Sequence, residues 1–167
     1  KILETDGSLI DALKLIGKSF LATNNINDAR LYLNKALKLN PDDYEILKDL
    51  GSTFQITGDI NTAQDFYQKS ISINHKYAPA LTNLGAINIK YKNKKEALDL
   101  LMKATKYDPK LLPAWMNLAN CCFQLKELQK AEFACNKAID LNPNLFNTHF
   151  LLATILIEQN KLPEAEQ

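Results

Sequence analysis

The sequence has little arginine and histidine, and their scarcity narrows the possible functions. Of the 20 basic residues only Arg30 is an arginine. Arginine is the side chain best suited to bidentate contacts with phosphates and base edges, so its scarcity argues against a phosphate-reading role. The formal net charge of +1, from 20 basic and 19 acidic residues, gives no overall attraction to nucleic acid or anionic lipid.

Long hydrophobic runs are also missing. No stretch approaches 18 consecutive apolar residues, so the sequence predicts no membrane span and no membrane partner. The first nine residues, KILETDGSL, lack the apolar core of a signal peptide. They also lack an initiator Met, and we therefore expect a segment of a longer protein.

The cysteines are few and odd in number. Cys121 and Cys122 are adjacent and Cys135 is the third, which matches neither a disulfide framework nor the spacing of a zinc site. We interpret them as small buried hydrophobes in a reducing compartment, which predicts a cytoplasmic protein.

Catalytic motifs are absent from the sequence. Its two histidines, His75 and His149, lie near no nucleophile or ligand cluster, and there is no Gly-rich phosphate loop or hydrolase motif. We therefore expect no catalytic residue, no cofactor and no metal site, and predict that the chain is not an enzyme. The sequence leaves open whether a catalytic domain lies outside this segment.

What the sequence does contain is a 34-residue repeat without insertions or deletions. Two sets of small residues recur at this interval. They are Ala29, Ala63, Ala97, Ala131 and Ala165, and Gly17, Gly51, Gly85, Ala119 and Ala153. A period of this length indicates stacked supersecondary units, because one unit cannot bury its apolar face alone.

Each unit has the pattern of two amphipathic helices. In the fourth unit Trp115, Leu118 and Cys122 follow one another at intervals of three or four residues. Gly58-Asp59 predicts the turn between the helices of the second unit. Asn40-Pro41 predicts the end of a second helix, because the residue before proline avoids helical angles. Small residues midway along each first helix predict a close approach by the second.

These residues resemble the tetratricopeptide repeat family, whose pattern places large apolar, small and aromatic residues at fixed offsets over 34 positions. The first unit carries it as Leu13, Ile16, Gly17, Phe20, Ala29, Leu33, Ala36 and Pro41. The resemblance implies an all-α fold, a right-handed α-solenoid of stacked antiparallel helix pairs that winds into a superhelix. It also implies that the first helices line a concave face on which a protein or peptide binds.

We predict a single solenoid segment over residues 1–167. Its parts are a partial helix over 1–7, repeats over 10–43, 44–77, 78–111 and 112–145, and a truncated repeat over 146–167. Residues 1–4 align one period before residues 35–38, and the chain ends early in the fifth second helix. We therefore expect both ends to be cut inside a repeat.

The concave offsets of the first helices define the predicted groove residues. They are Lys48, Asn83, Met116, Asn117, Asn120, Phe123, Phe150 and Leu151. Asn83 and Asn117 are equivalent residues one repeat apart, and a carboxamide offers both donors and acceptors to a peptide backbone. The four apolar members are expected to be exposed in one region, as at an interface. Alternatively, the polar members are ordinary surface residues and further solenoid residues cover Phe150 and Leu151.

The favoured function is a protein–protein interaction scaffold or adaptor that binds a protein or peptide in the concave groove. One alternative is a substrate-recruiting arm of a larger enzyme, such as a glycosyltransferase. Another is self-association through the exposed ends of the solenoid. Nucleic acid is not an expected partner, because the lysines around Tyr91 are followed closely by Glu96 and Asp99.

One subtype of the family holds two partner carboxylates with lysines, asparagines and an arginine from three successive first helices. No three successive units supply that set here. Starting from the first unit gives Lys14, but Lys18 and Asp49 stand where asparagines are required. A carboxylate clamp is therefore not expected.

Overall fold

A computed structural model describes residues 7–91 and 93–159, and these residues form nine α-helices and no strand. The helices are α1 (Gly7–Ala22), α2 (Ile26–Leu39), α3 (Tyr44–Ile56), α4 (Ile60–Ile73), α5 (Ala78–Lys90), α6 (Lys94–Tyr107), α7 (Leu112–Gln124), α8 (Leu128–Leu141) and α9 (Phe146–Glu158). The predicted all-α class is confirmed. Within the described ranges, none of these helices combines the length and the apolar character that crossing a bilayer requires.

The helix boundaries follow the repeat. Four first helices begin at the predicted starts of the second to fifth repeats, whereas α1 begins at Gly7, three residues before the predicted Ile10. Pro79 and Pro113 are the second residues of α5 and α7, where a missing N–H leaves no hydrogen bond unmade. The predicted partial helix over 1–7 and the end of the fifth repeat lie outside the described residues, apart from Gly7.

Turn residues stop and start the helices as the sequence predicts. Helix α2 ends before Asn40, whose N–H donates to the carbonyl of Ala36 over 3.0 Å. Gly58 has a φ of +85°, a left-handed conformation that only glycine adopts without steric cost. The carboxylate of Asp43 then caps α3 by accepting from the N–H groups of Glu45 and Ile46 over 2.9 and 3.0 Å.

The helices pack into two compact units, residues 1–80 and 81–167, so the division falls within α5. In the first unit α1 packs on α2 and α3 on α4, around a core of Leu33, Ala36, Ile46 and Leu50. In the second unit α7 packs on α8 and α8 on α9, around a core that extends from Ile89 to Ile155. The single-segment organisation and the exact repeat limits stay predictions.

The single arginine is used inside the first unit. Arg30 Nε donates to Thr53 Oγ1 over 2.9 Å, and its Nη2 donates to the Thr53 carbonyl over 3.0 Å. The guanidinium also lies 4.0 Å from the centre of the Phe54 ring. Arg30 therefore ties α2 to α3 instead of facing an anionic ligand.

Within each helix pair, the small residue of the first helix meets the side chain sixteen positions later. A Cβ added at Gly17 would lie 2.7 Å from Leu33 Cγ, and one at Gly51 would lie 2.7 Å from Tyr67 Cε1. The partner is a large side chain where the first helix carries glycine. In the fourth repeat Ala119 replaces glycine and the residue sixteen later is the smaller Cys135, both fully buried. The small residue and its partner sixteen positions later therefore fill one space of constant size, so a larger residue at one position requires a smaller one at the other.

We predict that Gly85→Ala destabilises the chain by up to roughly 2 kcal/mol. The added methyl would lie 2.8 Å from Leu101 Cγ, and overpacking of this kind costs about 1–3 kcal/mol, against about 1 kcal/mol gained in helix propensity. Combining it with Leu101→Cys recreates the alanine–cysteine pair of the fourth repeat. The two single changes should therefore not be additive. In urea unfolding, the double variant should be more stable, by at least about 1 kcal/mol, than the sum of the two single effects predicts.

The control for this cycle is Gly7→Ala, because an added Cβ there meets nothing within 4 Å. It should leave the unfolding free energy unchanged or slightly raised. Strictly additive effects of Gly85→Ala and Leu101→Cys would refute the shared-volume explanation.

Candidate functional site

The predicted groove residues are divided between the two units. Lys48 lies on α3 in the first unit. The other seven lie in the second unit: Asn83 on α5, Met116, Asn117, Asn120 and Phe123 on α7, and Phe150 and Leu151 on α9. Each unit therefore presents its own surface.

In the second unit a cavity of about 340 Å³ lies between α7 and α9, and we call it the amide groove. Its lining consists of Met116, Asn117, Ala119, Asn120, Asn147, Thr148 and Leu151. Four predicted groove residues meet there: Met116, Asn117, Asn120 and Leu151. Asn83, Phe123 and Phe150 lie outside this lining, and Asn83 is half-buried on α5.

The amide groove combines an apolar base with carboxamides. Met116 and Leu151 are partly buried and pack against the core of the second unit. Asn117 is half-buried, while Asn120 and Asn147 are exposed and can present donors and acceptors to a bound chain. Every lining side chain is uncharged. The groove therefore suits a neutral, extended segment better than a charged one.

The prediction of four exposed apolar residues is wrong for three of them. Met116, Phe123 and Leu151 are partly buried against the core of the second unit, and the Lys126 ammonium lies 5.3 Å from the Phe123 ring centre. Phe150 alone is exposed, at 68%. The reason is that neighbouring helices of the second unit pack together at these side chains, which the periodicity of a single helix does not show.

Sequence reasoning missed Asn147 and Thr148. Asn147 occupies the same offset in the fifth repeat as Glu45 in the second, an offset that the resemblance predicts to face the groove. Extending that offset through all five repeats would have identified Asn147. Thr148 is 4% exposed and shares its offset with the buried Ala114, so periodicity assigns it to the core.

The surface of the first unit is charged. Lys14 Nζ lies 2.8 Å from Asp43 Oδ2 and 3.0 Å from Glu45 Oε2. Lys18 Nζ lies 3.3 Å from the same Glu45 oxygen. One carboxylate of the chain therefore already occupies the space between two lysines, and an acidic partner would have to displace it.

Lys48 belongs to the same charged surface, because its ammonium contacts Asp49 Oδ1. Asp49 is 2% exposed, and its second oxygen, Oδ2, is buried with no hydrogen-bond partner and lies 3.9 Å from Lys18 Nζ. Burial and the charges of Glu45 and Asp49 raise the pKa of Tyr77, so its phenol stays protonated. The Lys48 ammonium is therefore already paired with a carboxylate of the same chain.

The ion pairs shift the pKa values of their members in opposite directions. The hydrogen bond from Lys14 lowers the pKa of Glu45, against the opposing effect of burial and with help from the charge of Lys18. Burial lowers the pKa of Lys14, but hydrogen bonds to Asp43 and Glu45 outweigh it and leave a net rise. Both groups therefore stay charged at neutral pH.

We predict that Glu45→Gln flattens the loss of stability in acid. Because the folded-state pKa of Glu45 is lowered, its stabilisation is present above the unfolded-state pKa and is lost as the pH falls through the folded-state value. The unfolding free energy of the unmodified chain should therefore fall more steeply than that of the variant once the pH drops below the unfolded-state pKa of 4.5.

Asp11→Asn is the matched control, because it removes one exposed carboxylate from α1. In urea unfolding, the unfolding free energy of this variant should fall with acid as steeply as that of the unmodified chain. If Glu45→Gln and Asp11→Asn gave parallel curves, the Lys14–Glu45 pair would have no energetic role.

The three thiols and His149 serve the packing of the second unit and its turns. All three cysteines are buried and free, as predicted, and burial raises the pKa of Cys122 to about 11. Trp115 Nε1 donates to the carbonyl of Pro109 over 2.8 Å, and His149 Nε2 lies 2.7 Å from the carbonyl of Pro143 one repeat later. Across the residues that the structure describes, no three His, Cys, Asp or Glu side chains form a group that could hold a metal ion.

Four family models, each described as a tetratricopeptide repeat, match the chain. They cover residues 14–76, 78–111, 113–145 and 134–167, which together span nearly the whole sequence. No curated protein sequence matches it significantly.

Several solved structures share the fold. PilF of Pseudomonas aeruginosa superposes with a TM-score of 0.87 at 24% identity, over 96% of this chain and 73% of that one. MamA of Desulfovibrio magneticus RS-1 gives a TM-score of 0.77 at 23% identity, over 95% of this chain and 89% of that one. At such identities the similarity shows the fold, an all-α helical-repeat solenoid.

Proposed function

We propose, from the premise that this chain belongs to the tetratricopeptide repeat family, that it is an interaction scaffold whose amide groove holds an extended peptide segment of a partner protein. Repeats of this family support protein interaction in general. For this chain we assign the interaction to the amide groove and the ligand to an extended peptide segment.

One observation carries the proposal: three carboxamides surround an apolar base in a single cavity. Asn117, Asn120 and Asn147 can accept from the N–H groups of a peptide and donate to its carbonyls. Asn120 Oδ1 already accepts from Gln124 Nε2 over 3.2 Å, which orients its N–H donors. Met116 and Leu151 supply apolar surface for one side chain of the peptide.

The uncharged lining also sets the expected specificity. Burial of a charged side chain in the amide groove would cost solvation with no opposite charge to compensate it. We therefore infer that the bound segment is neutral where it contacts the groove. Its affinity should then change little with ionic strength, unlike binding at the charged surface of the first unit.

We predict that peptides selected from a random library on the unmodified chain lose affinity for the Asn117→Ala, Asn120→Ala double variant. Each hydrogen bond is worth about 0.5–1.5 kcal/mol, so the dissociation constant should rise roughly ten-fold in titration calorimetry. The control is Gln68→Ala, an exposed change on α4 in the first unit that should leave the affinity unchanged.

The two methionines of the chain locate the bound peptide independently of affinity. Met116 lines the amide groove, and Met102 lies on α6. With ¹³C-labelled methionine methyl groups, the selected peptides should shift the Met116 signal. Peptides that bind the double variant as well as the unmodified chain, or that leave Met116 unmoved, would assign the site to another surface.

A further inference from the structure

A second pocket, of about 180 Å³, lies on the opposite side of α7 from the amide groove. We call it the apolar pocket. Helices α6, α7 and α8 line it with Leu98, Met102, Thr105, Trp115, Leu118, Cys122, Lys130 and Phe133. All of these residues belong to the second unit. None of them lines the amide groove.

The apolar character of this pocket is specific to one place in the repeat. Three lining positions on α6 and α8 carry mostly polar residues at the same offset in the other repeats. Leu98 corresponds to Arg30, Gln64 and Glu132; Met102 corresponds to Asn34, Gln68 and Asn136; Phe133 corresponds to Leu31, Asp65 and Asp99. The repeat itself therefore does not require apolar residues at these positions.

The two side chains at the mouth of the pocket remain in solvent. Met102 is 50% exposed and Phe133 is 55% exposed. The Phe133 ring lies edge-on to the Trp115 ring at 5.9 Å between centroids, an arrangement that holds it over the pocket. Large apolar side chains clustered around an open cavity are typical of a binding site.

The polar groups of the apolar pocket are already engaged. Thr105 Oγ1 donates to the Leu101 carbonyl over 3.1 Å, and Lys130 Nζ pairs with Glu127 Oε2 over 2.6 Å. Burial raises the pKa of the Cys122 thiol, which stays neutral on α7. A ligand would therefore be recognised by shape and apolar contact.

We propose that the apolar pocket binds one aromatic ring, presented by a phenylalanine side chain of a partner protein. Apolar cavities of about 150 Å³ in other proteins hold one benzene ring, which matches the 180 Å³ available here. Two aromatic side chains, Trp115 and Phe133, and two sulfur-containing ones, Met102 and Cys122, line the space. Both kinds of neighbour favour an aromatic ring over an aliphatic group.

The test uses the methyl signals of Met102 and Met116 as separate reporters. N-acetyl-phenylalaninamide is titrated into the full chain carrying ¹³C-labelled methionine methyl groups. The ring should shift the Met102 signal and leave Met116 unmoved, whereas N-acetyl-leucinamide should shift Met102 far less. A Met102 signal that is unmoved at the solubility limit of the probe, or that responds equally to both probes, overturns the proposal.

Phe133→Asp removes one wall of the pocket and keeps the Met102 reporter. The change places at position 133 the residue that Asp65 and Asp99 provide at the same offset, so the helix accommodates it. It should weaken binding of the phenylalanine probe roughly ten-fold. Leu31→Asp makes the same change at the same offset in the first unit, where Leu31 is 49% exposed, and should have no effect.

The outcomes separate this proposal from the proposed function. A response of Met102 that persists in Phe133→Asp, or that is lost in Leu31→Asp as well, overturns the aromatic pocket. The amide groove is tested by Met116 and by the peptides selected on the chain. Either site can therefore fail while the other is supported.

Discussion

The structure depends on the contact between the small residue of each first helix and the side chain sixteen positions later. At Gly17, Gly51 and Gly85 this contact leaves no space for a methyl group beside Leu33, Tyr67 and Leu101. In the fourth repeat, alanine at the first position accompanies the smaller cysteine at the second. Close approach here sets the distance between the paired helices, and that distance brings the remaining apolar side chains into contact. The glycine costs helix propensity that the packing must offset.

Once the helix pairs are set, the same offsets are free to carry different chemistry. One first-helix offset carries Asp49 in the second repeat and Asn117 in the fourth. In the first unit the surrounding surface is charged, and Lys14, Lys18 and Lys48 each lie close to a carboxylate of the chain. In the second unit this offset contributes to an uncharged groove with amide groups over an apolar base. One backbone geometry thus provides two surfaces with different preferences for ligand charge.

The candidate site was only partly predictable from the sequence. Periodicity identified Met116, Asn117, Asn120 and Leu151, which do line one cavity. It assigned too much exposure to Met116 and Leu151, because a helical offset describes one helix and not the neighbour that covers it. It also gave no sign that Glu45 would lie between Lys14 and Lys18. Such contacts depend on side-chain rotamers across two helices, which no repeat pattern encodes.

The sequence by itself determined the helices, their turns, the close approach at the small residues and the burial of the three cysteines. Those features follow from local backbone preferences and from a strict 34-residue period, and both are written along the chain. Only the tertiary structure decided which polar atoms meet, which apolar residues stay exposed and where cavities form. The apolar pocket exists because Met102 and Phe133, 31 positions apart, face one space between α6 and α8. Packing of neighbouring helices creates that space, and a one-dimensional period cannot specify its shape.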